Sequence, residues 1–202
     1  MTARIVATES VSLDGVMQGV GRPDEDTRGG FAHGGWGRQF TDPVVNERMA
    51  QGRSGSGGML LGRRTYEDVL GYWTTSDPDG EITGHLLRAD KYVVSRDPAT
   101  TLSYPGSTLL AGDAASSVAA LRDRLDGTLS VIGSGELVRS LHAAGLVDEY
   151  ALLVHPLVLG SGQRLFGPGD LTDLVLEDSV TGPTGLVLLR YRVRPPGEGG
   201  QK

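Results

Sequence analysis

The stretch Met59-Leu-Leu-Gly-Arg-Arg-Thr-Tyr-Glu67 runs from an apolar segment into a helix through one glycine and two cations. Met59, Leu60 and Leu61 read as a buried strand. Gly62 ends it, and Thr65 is placed to cap a short helix over residues 65–70, with Asp68 near its positive end. Such a junction suits an anion, because the first N–H groups of a helix lack intrahelical partners and carry partial positive charge. Arg63 and Arg64 can add charge-assisted bonds to phosphate. The plain alternative is a strand-to-helix turn with two solvated arginines, and this stretch alone does not decide between them.

The same texture extends to both sides. Residues 4–11 read as a first strand. Asp42 and Pro43 open a helix reaching about Gly52, with the carboxylate as N-cap and proline at the first helical position. Residues 82–89 are weakly helical, and residues 92–95 form a strand that stops at Arg96-Asp97-Pro98. Residues 108–111 form another strand. Asp113 then caps a helix carrying Val118, Leu121 and Leu125 on one face. Asp126-Gly127 turns the chain into a strand over 129–132 that ends at Gly133-Ser134-Gly135. The helix through Leu137, Val138 and Leu141 stops at Gly145.

Beyond Gly145 the chain is mostly strand: residues 150–159, broken by Pro156, then 174–177 and 186–193 with the Gly182-Pro-Thr-Gly185 turn before the last. Alternating strand and helix followed by strands predicts a single three-layer α/β domain over residues 1–194. Its central sheet is mostly parallel, helices cover both faces, and the C-terminal edge is antiparallel. Residues 195–202 read as a polar, disordered tail. Residues 15–39 are glycine-rich and charged, with Phe31 and Trp36 embedded. An irregular segment of this length is either a functional loop or a surface excursion.

Composition narrows the function. The 202 residues fit one domain, and the net charge of -6 argues against a nucleic-acid partner, which calls for a basic face. Any polyanion must be held by local cations against the overall charge. The absence of cysteine removes disulfides, thiol catalysis and thiolate metal sites. No apolar run approaches the ~18–20 residues that span a bilayer, and the N-terminus has no signal-peptide pattern. A cytoplasmic protein with no membrane partner is expected. The four histidines (His33, His85, His142, His155) show no metal-ligand spacing, so no metal is expected, and His142 and His155 read as structural. No Gly-x-Ser-x-Gly elbow, Walker A loop or His-Glu-x-x-His is present.

Open α/β sheets bind ligands at the carboxyl ends of their strands. Three such ends carry suggestive residues: Gly62-Arg63-Arg64-Thr65, Ser95-Arg96 and Gly133-Ser134-Gly135-Glu136. If these strands are neighbours, the glycine turn before a helix suits a pyrophosphate, while the arginines, Thr65 and Ser95 suit a separate terminal phosphate. NADP(H) has both features. Gly133-Ser-Gly-Glu-Leu-Val138 lacks the third glycine of the usual dinucleotide fingerprint, and a bare Gly-x-Gly is often only a tight turn.

The chain resembles the dihydrofolate reductase superfamily, in the branch related to the C-terminal reductase domain of bacterial riboflavin biosynthesis. The resemblance rests on Ser12-Leu-Asp-Gly15, Leu61-Gly-Arg-Arg-Thr-Tyr-Glu67, Val94-Ser95, Val131-Ile-Gly-Ser-Gly-Glu136, and Val154-His-Pro-Leu-Val-Leu-Gly160 with Leu165-Phe166, in family order. It implies a dihydrofolate reductase-like fold, NADPH as hydride donor and a homodimer. Arg63, Arg64 and Thr65 would meet the adenosine phosphates, and Ser95 with Arg96 the 2′-phosphate. Gly133, Ser134, Gly135 and Glu136 would wrap the pyrophosphate. Asp14 would stand near nicotinamide and substrate.

The resemblance also implies an acidic substrate contact on the helix after the first loop. Asp42 and Glu47 are the carboxylates available there, and Glu47 is the candidate, with a solvated helix face as its alternative. Without cysteines the chain lacks the zinc deaminase signature of the riboflavin enzymes, so a free-standing reductase domain is expected. The expected reaction is hydride transfer to a C=N or C=O of a small heterocycle, pterin-like or pyrimidine-ribosylamine-like. Asp14 would deliver a proton or order the water that does, or else would simply bond the N–H groups of its own turn. Trp36 and Phe31 line the pocket or, as favoured, anchor the loop. The competing functions are a non-catalytic nucleotide-binding homodimer that keeps the cofactor cleft, and a structural dimerisation module.

Overall fold

The computed structural model describes residues 2–52 and 57–195. Its elements in chain order are β1 (Arg4–Ser12), α1 (Pro43–Gly52), β2 (Gly58–Gly62), α2 (Arg63–Ser76), α3 (Glu81–Arg88), β3 (Lys91–Ser95), β4 (Ser107–Ala111), α4 (Ala114–Arg122), β5 (Thr128–Ile132), α5 (Gly135–Ala143), β6 (Glu149–His155), β7 (Leu174–Thr181) and β8 (Val187–Val193). The fold is α/β, with eight strands in the order β4-β3-β2-β5-β1-β6-β8-β7, and antiparallel pairing is confined among the registered pairs to the C-terminal strands. Residues 196–202 of the expected tail lie outside the described residues. The chain makes two compact parts, Met1–Val6 with Gly55–Leu146, and Ala7–Ser54 with Val147–Lys202.

In the first part β2 lies between β3 and β5 and runs parallel to both, with Leu60 opposite Tyr92 on one side and Val131 on the other. β3 in turn pairs in parallel with β4. The helix after β2 differs from expectation. It starts at Arg63, takes Gly62 as N-cap and runs 14 residues, so Thr65 is its third residue and not its cap. Gly71, Thr74 and Thr75 give this sequence weak intrinsic helicity, and packing overrides it. Tyr66, Val69, Leu70 and Trp73 recur at helical spacing and meet Met59, Leu61, Leu86 and Val93. The Tyr66 hydroxyl accepts from the Tyr104 N–H at 2.9 Å and the Ser107 hydroxyl at 3.1 Å, fixing α2 to the chain entering β4.

Lys91, fully buried at the first residue of β3, donates from Nζ to the carbonyls of Leu86 (2.7 Å), Leu87 (3.4 Å) and Ala89 (2.6 Å). A helix leaves its last carbonyls without intrahelical donors, and here one ammonium serves the end of α3. Burial pushes the Lys91 pKa down, with Asp90 opposing.

In the second part β8 pairs antiparallel with β6 and β7, and a bulge between Leu176 and Asp178 interrupts the edge strand β7. An edge bulge of this kind discourages pairing with another strand. Glu149, buried on β6, accepts from Arg190 of β8, with Nε at 2.7 Å and Nη2 closer still. Asp42 caps α1 as expected: Oδ1 accepts from the Val44 N–H (3.0 Å) and the Val45 N–H (3.2 Å). Its Oδ2 takes the N–H (3.1 Å) and hydroxyl (2.8 Å) of Thr184. Burial would raise the Asp42 pKa, but these bonds outweigh it and hold the carboxyl below its usual range.

Residues 15–39 form a packed segment. Val16, Phe31 and Trp36 are buried together, with Val20, Leu157 and Leu159 against them. The Gln18 side chain, itself buried, ties the segment to itself and to residue 163: Nε2 donates to the Arg28 carbonyl (2.9 Å) and the Asp26 carboxylate (3.2 Å), and Oε1 accepts from the Gln163 N–H (3.0 Å). No described helix is long and apolar enough to cross a membrane.

Candidate functional site

Because β2, β3 and β5 are parallel neighbours, Gly62, Ser95 and Gly133 come to the same carboxyl edge of the first part. Two helices start there, α2 directly from Gly62 and α5 directly from Ser134, and no side chain caps either. Their first-turn N–H groups therefore point outward over the strand ends without intrahelical acceptors.

The two turns interlock. Gly62 N–H donates to Ser134 Oγ at 2.9 Å. A Cβ on Gly62 would stand 3.3 Å from that oxygen, and one on Gly133 would stand 3.3 Å from Thr65 Cγ2. Gly133 has φ 58°, so a side chain there would also be strained. Ser134 adopts φ 68°, ψ 50°, and is the single non-glycine residue among those described with positive φ.

The arginines stand on the first turn of α2. Arg63 Nη1 bonds both oxygens of Glu67, at 2.9 and 2.8 Å, and Arg64 faces Glu136 at 3.8 Å. An exposed i,i+4 pair is worth about 0.3–0.5 kcal/mol, whereas a hydrogen bond to a charged group contributes roughly 1.5–3 kcal/mol. The Arg63–Glu67 pair is therefore only a weak hold on this guanidinium.

At the third strand end the hydroxyl of Ser95 turns inward. It is buried, lies 2.7 Å from the Thr100 hydroxyl and accepts from the Asp97 N–H at 3.2 Å. Ser95 thus shapes the turn, and Arg96 is the exposed member of the pair.

The remaining candidates belong to the second part. Asp14 follows β1, and its carboxylate accepts from Ser12 Oγ (2.6 Å), the Leu159 N–H (3.0 Å), the Gly160 N–H (2.9 Å) and Arg164 Nη2 (3.3 Å). The bonds from Ser12, Leu159 and Gly160 hold this carboxyl far below the usual range. A group so held is ionised at neutral pH and carries no proton to deliver. Its geometry is that of a tie between two loops, joined by the Val16–Arg164 bridge and the Leu13 N–H to Leu157 carbonyl bond. Glu47 is exposed on α1. Trp36 is buried and donates its indole N–H to the Gln18 carbonyl at 2.7 Å, which is the anchoring geometry.

Trp36 also meets His155 edge-on at 5.0 Å, and Phe40 meets the same imidazole at 5.7 Å. Burial pushes the His155 pKa down to about 4. The unfolded chain, with its histidine near the ordinary value of about 6.5, then binds this proton first as pH falls, so stability drops below pH 6.5. Wild type is expected to lose about 1 kcal/mol more than His155→Phe between pH 6.5 and 5.5 in urea unfolding. Equal losses in the two proteins would show that the imidazole is not held neutral.

Sequence reasoning missed two features: the Ser134 hydroxyl on Gly62, and Arg164, which holds Asp14 through both its carboxylate and its backbone carbonyl (Nε to O, 2.9 Å). Neither carries a motif signal.

A sequence model of the RibD C-terminal domain matches residues 3–188. In three dimensions the chain is similar to a Shewanella sp. PV-4 protein ascribed to riboflavin biosynthesis, at 20% identity over 96% of this chain and 100% of that one, with TM-score 0.67. A pyrimidine reductase-like protein from Corynebacterium diphtheriae is similar at 15% identity over 96% and 92%, TM-score 0.60. Dihydrofolate reductase from Enterococcus faecalis, solved with NADP(H), is similar at 13% identity over 96% and 100%, TM-score 0.58. At these identities the likeness is one of fold. No curated protein has a matching sequence.

Proposed function

Because this chain belongs to the RibD C-terminal domain family, we propose that it is an NADPH-dependent reductase acting on a C=N or C=O of a small heterocycle. The observation that carries the reading is the shared edge: three parallel strand ends, two side-chain-uncapped helix starts locked together, and Arg63, Arg64 and Arg96 on the adjoining turns. The donor set fits the cofactor. Glycines at 62 and 133 allow close approach, helix N–H groups suit a pyrophosphate, and guanidinium groups suit terminal phosphate.

When bound, NADPH supplies the hydride. The chain supplies position. Gly133, Ser134, Gly135 and Glu136 hold the pyrophosphate through backbone N–H groups. Arg63, Arg64 and Thr65 meet the adenosine phosphates, the 2′-phosphate among them. Arg96 stands beside the 2′-phosphate, on a turn set by Ser95. Asp14 orders the loop segments around residues 157–164 and does not deliver the proton, since its oxygens are occupied and its carboxyl is ionised. Trp36 anchors the 15–39 segment, and Glu47 is the candidate substrate contact. A homodimer in the cytoplasm goes with this reading, as do a small-molecule substrate and no nucleic-acid or membrane partner.

NADPH oxidation measured against a panel of pterins, pyrimidine ribosylamines and small carbonyl compounds tests the proposal. Turnover with at least one heterocycle is expected. Tight NADPH binding with no turnover across the panel would favour a non-catalytic nucleotide-binding homodimer.

A further inference from the structure

Ser134 holds a conformation that its side chain disfavours and uses its hydroxyl in an unexpected direction. A serine at a helix N-cap normally has extended backbone and turns its oxygen onto the N–H groups of its own first turn. Here φ is 68° and ψ is 50°, in the left-handed region favoured by glycine. That rotation takes the hydroxyl away from α5, which it does not cap, and sets it 2.9 Å from the N–H of Gly62.

The consequence lies at the end of the sheet. The registered pairing of β2 with β5 runs from Gly58 opposite Leu129 to Leu60 opposite Val131. Past it, β2 stays paired with β3 through Gly62 opposite Val94, while on the β5 side the Ser134 hydroxyl accepts the Gly62 N–H in place of a strand carbonyl. Thr65 Cγ2 lies over Gly133 on the other side of the same contact, so each turn seats a side chain on the other's glycine. The start of α2, bearing Arg63 and Arg64, is thereby fixed against the start of α5. Strain held at one residue by its surroundings is a pointer to function, and here it fixes the spacing between two anion-binding ends.

We propose that Ser134 is a positioning residue whose strained hydroxyl bond to Gly62 sets the spacing of the two helix starts, so that one pyrophosphate-bearing ligand engages both. This rests on the cofactor reading above. It adds that the match between the turns, and not only their separate donors, determines affinity.

Three variants test it. Ser134→Gly removes the hydroxyl and relieves the strain. Ser134→Ala removes the hydroxyl and keeps the strain. Ser134→Asn keeps an acceptor on a residue that tolerates this conformation. Hydrogen exchange at the Gly62 amide reads the lock without ligand, thermal unfolding reads stability, and fluorescence titration reads NADPH affinity.

Exchange at Gly62 is expected to accelerate about tenfold in the glycine and alanine variants, and NADPH Kd to rise about tenfold in both. The glycine variant should melt at or above the temperature of the alanine variant, separating affinity from stability. Asparagine should restore both protection and affinity. Unchanged Gly62 exchange overturns the proposal. Faster exchange with NADPH Kd within twofold of wild type in Ser134→Gly overturns it too, while leaving the cofactor reading intact. Failure of wild type to bind NADPH, with Gly62 exchange behaving as expected, overturns the cofactor reading and this proposal together.

Discussion

Arg63→Ala is expected to weaken NADPH binding by about ten- to a hundredfold, equivalent to roughly 1.5–3 kcal/mol, and NADH binding much less. The guanidinium stands on the first turn of α2, beside the strand end that bears Gly62, and its resting partner is Glu67 on the next turn of the helix. That pair is exposed and weak, so releasing Arg63 to a phosphate costs about 0.3–0.5 kcal/mol, a small part of the gain. The difference between the two cofactors is the informative quantity, because they differ by one phosphate. Parallel titrations of wild type and variant with NADPH and NADH give it directly. Equal loss for both would mean that Arg63 does not read the 2′-phosphate, and the discrimination would then fall to Arg64 or Arg96.

The largest expected stability effect lies away from the strand ends. Lys91→Met keeps the length and apolar stem of the side chain but removes the ammonium that serves the Leu86, Leu87 and Ala89 carbonyls. Three charge-assisted bonds from a buried ammonium disappear, one buried and two part-buried, while the desolvation cost of the ammonium, visible in its lowered pKa, disappears with them. The bonds win, because the buried Leu86 carbonyl left without this donor has no compensation. The expected net loss is about 2–4 kcal/mol in denaturant unfolding with an unchanged m-value. A loss under about 1 kcal/mol would show that α3 closes its C-terminus without this lysine.

These two cases mark what local sequence does and does not carry. Asp42-Pro43 and Asp113 announce their helices because an N-cap is a contact between near neighbours, and both carboxylates accept first-turn N–H groups in the structure. The class of fold was legible for a similar reason, since alternating apolar strands and helices lead to parallel pairing of β2, β3 and β5. The helix at residues 63–76 was legible only in part. Its length comes from Tyr66, Val69, Leu70 and Trp73 packing on strands and on α3, which propensity does not contain.

Side chains whose partners lie far along the chain were the least legible. Asp14 reads as a proton or water-ordering group near the site, or as a carboxylate bonded within its own turn, yet Leu159, Gly160 and Arg164, far along the chain, hold it. Ser95 reads as a phosphate ligand, yet Thr100 and Asp97 occupy its hydroxyl. Gly133-Ser134-Gly135 reads as a tight turn or a pyrophosphate-binding one, and nothing local reveals that Ser134 shares the positive φ of Gly133. In each instance the residue type was informative about chemistry, while tertiary geometry decided whether the group was available for it.

In the proposed reading, separate strand-end turns hold one doubly phosphorylated redox carrier. Hydrogen exchange of the wild-type protein with and without NADPH tests it most directly. Slowed exchange in both the 62–65 and 133–136 turns on addition of NADPH, weaker with NADH, is the predicted result. Saturating NADPH that leaves both turns unprotected, or protects only a distant segment, would contradict it.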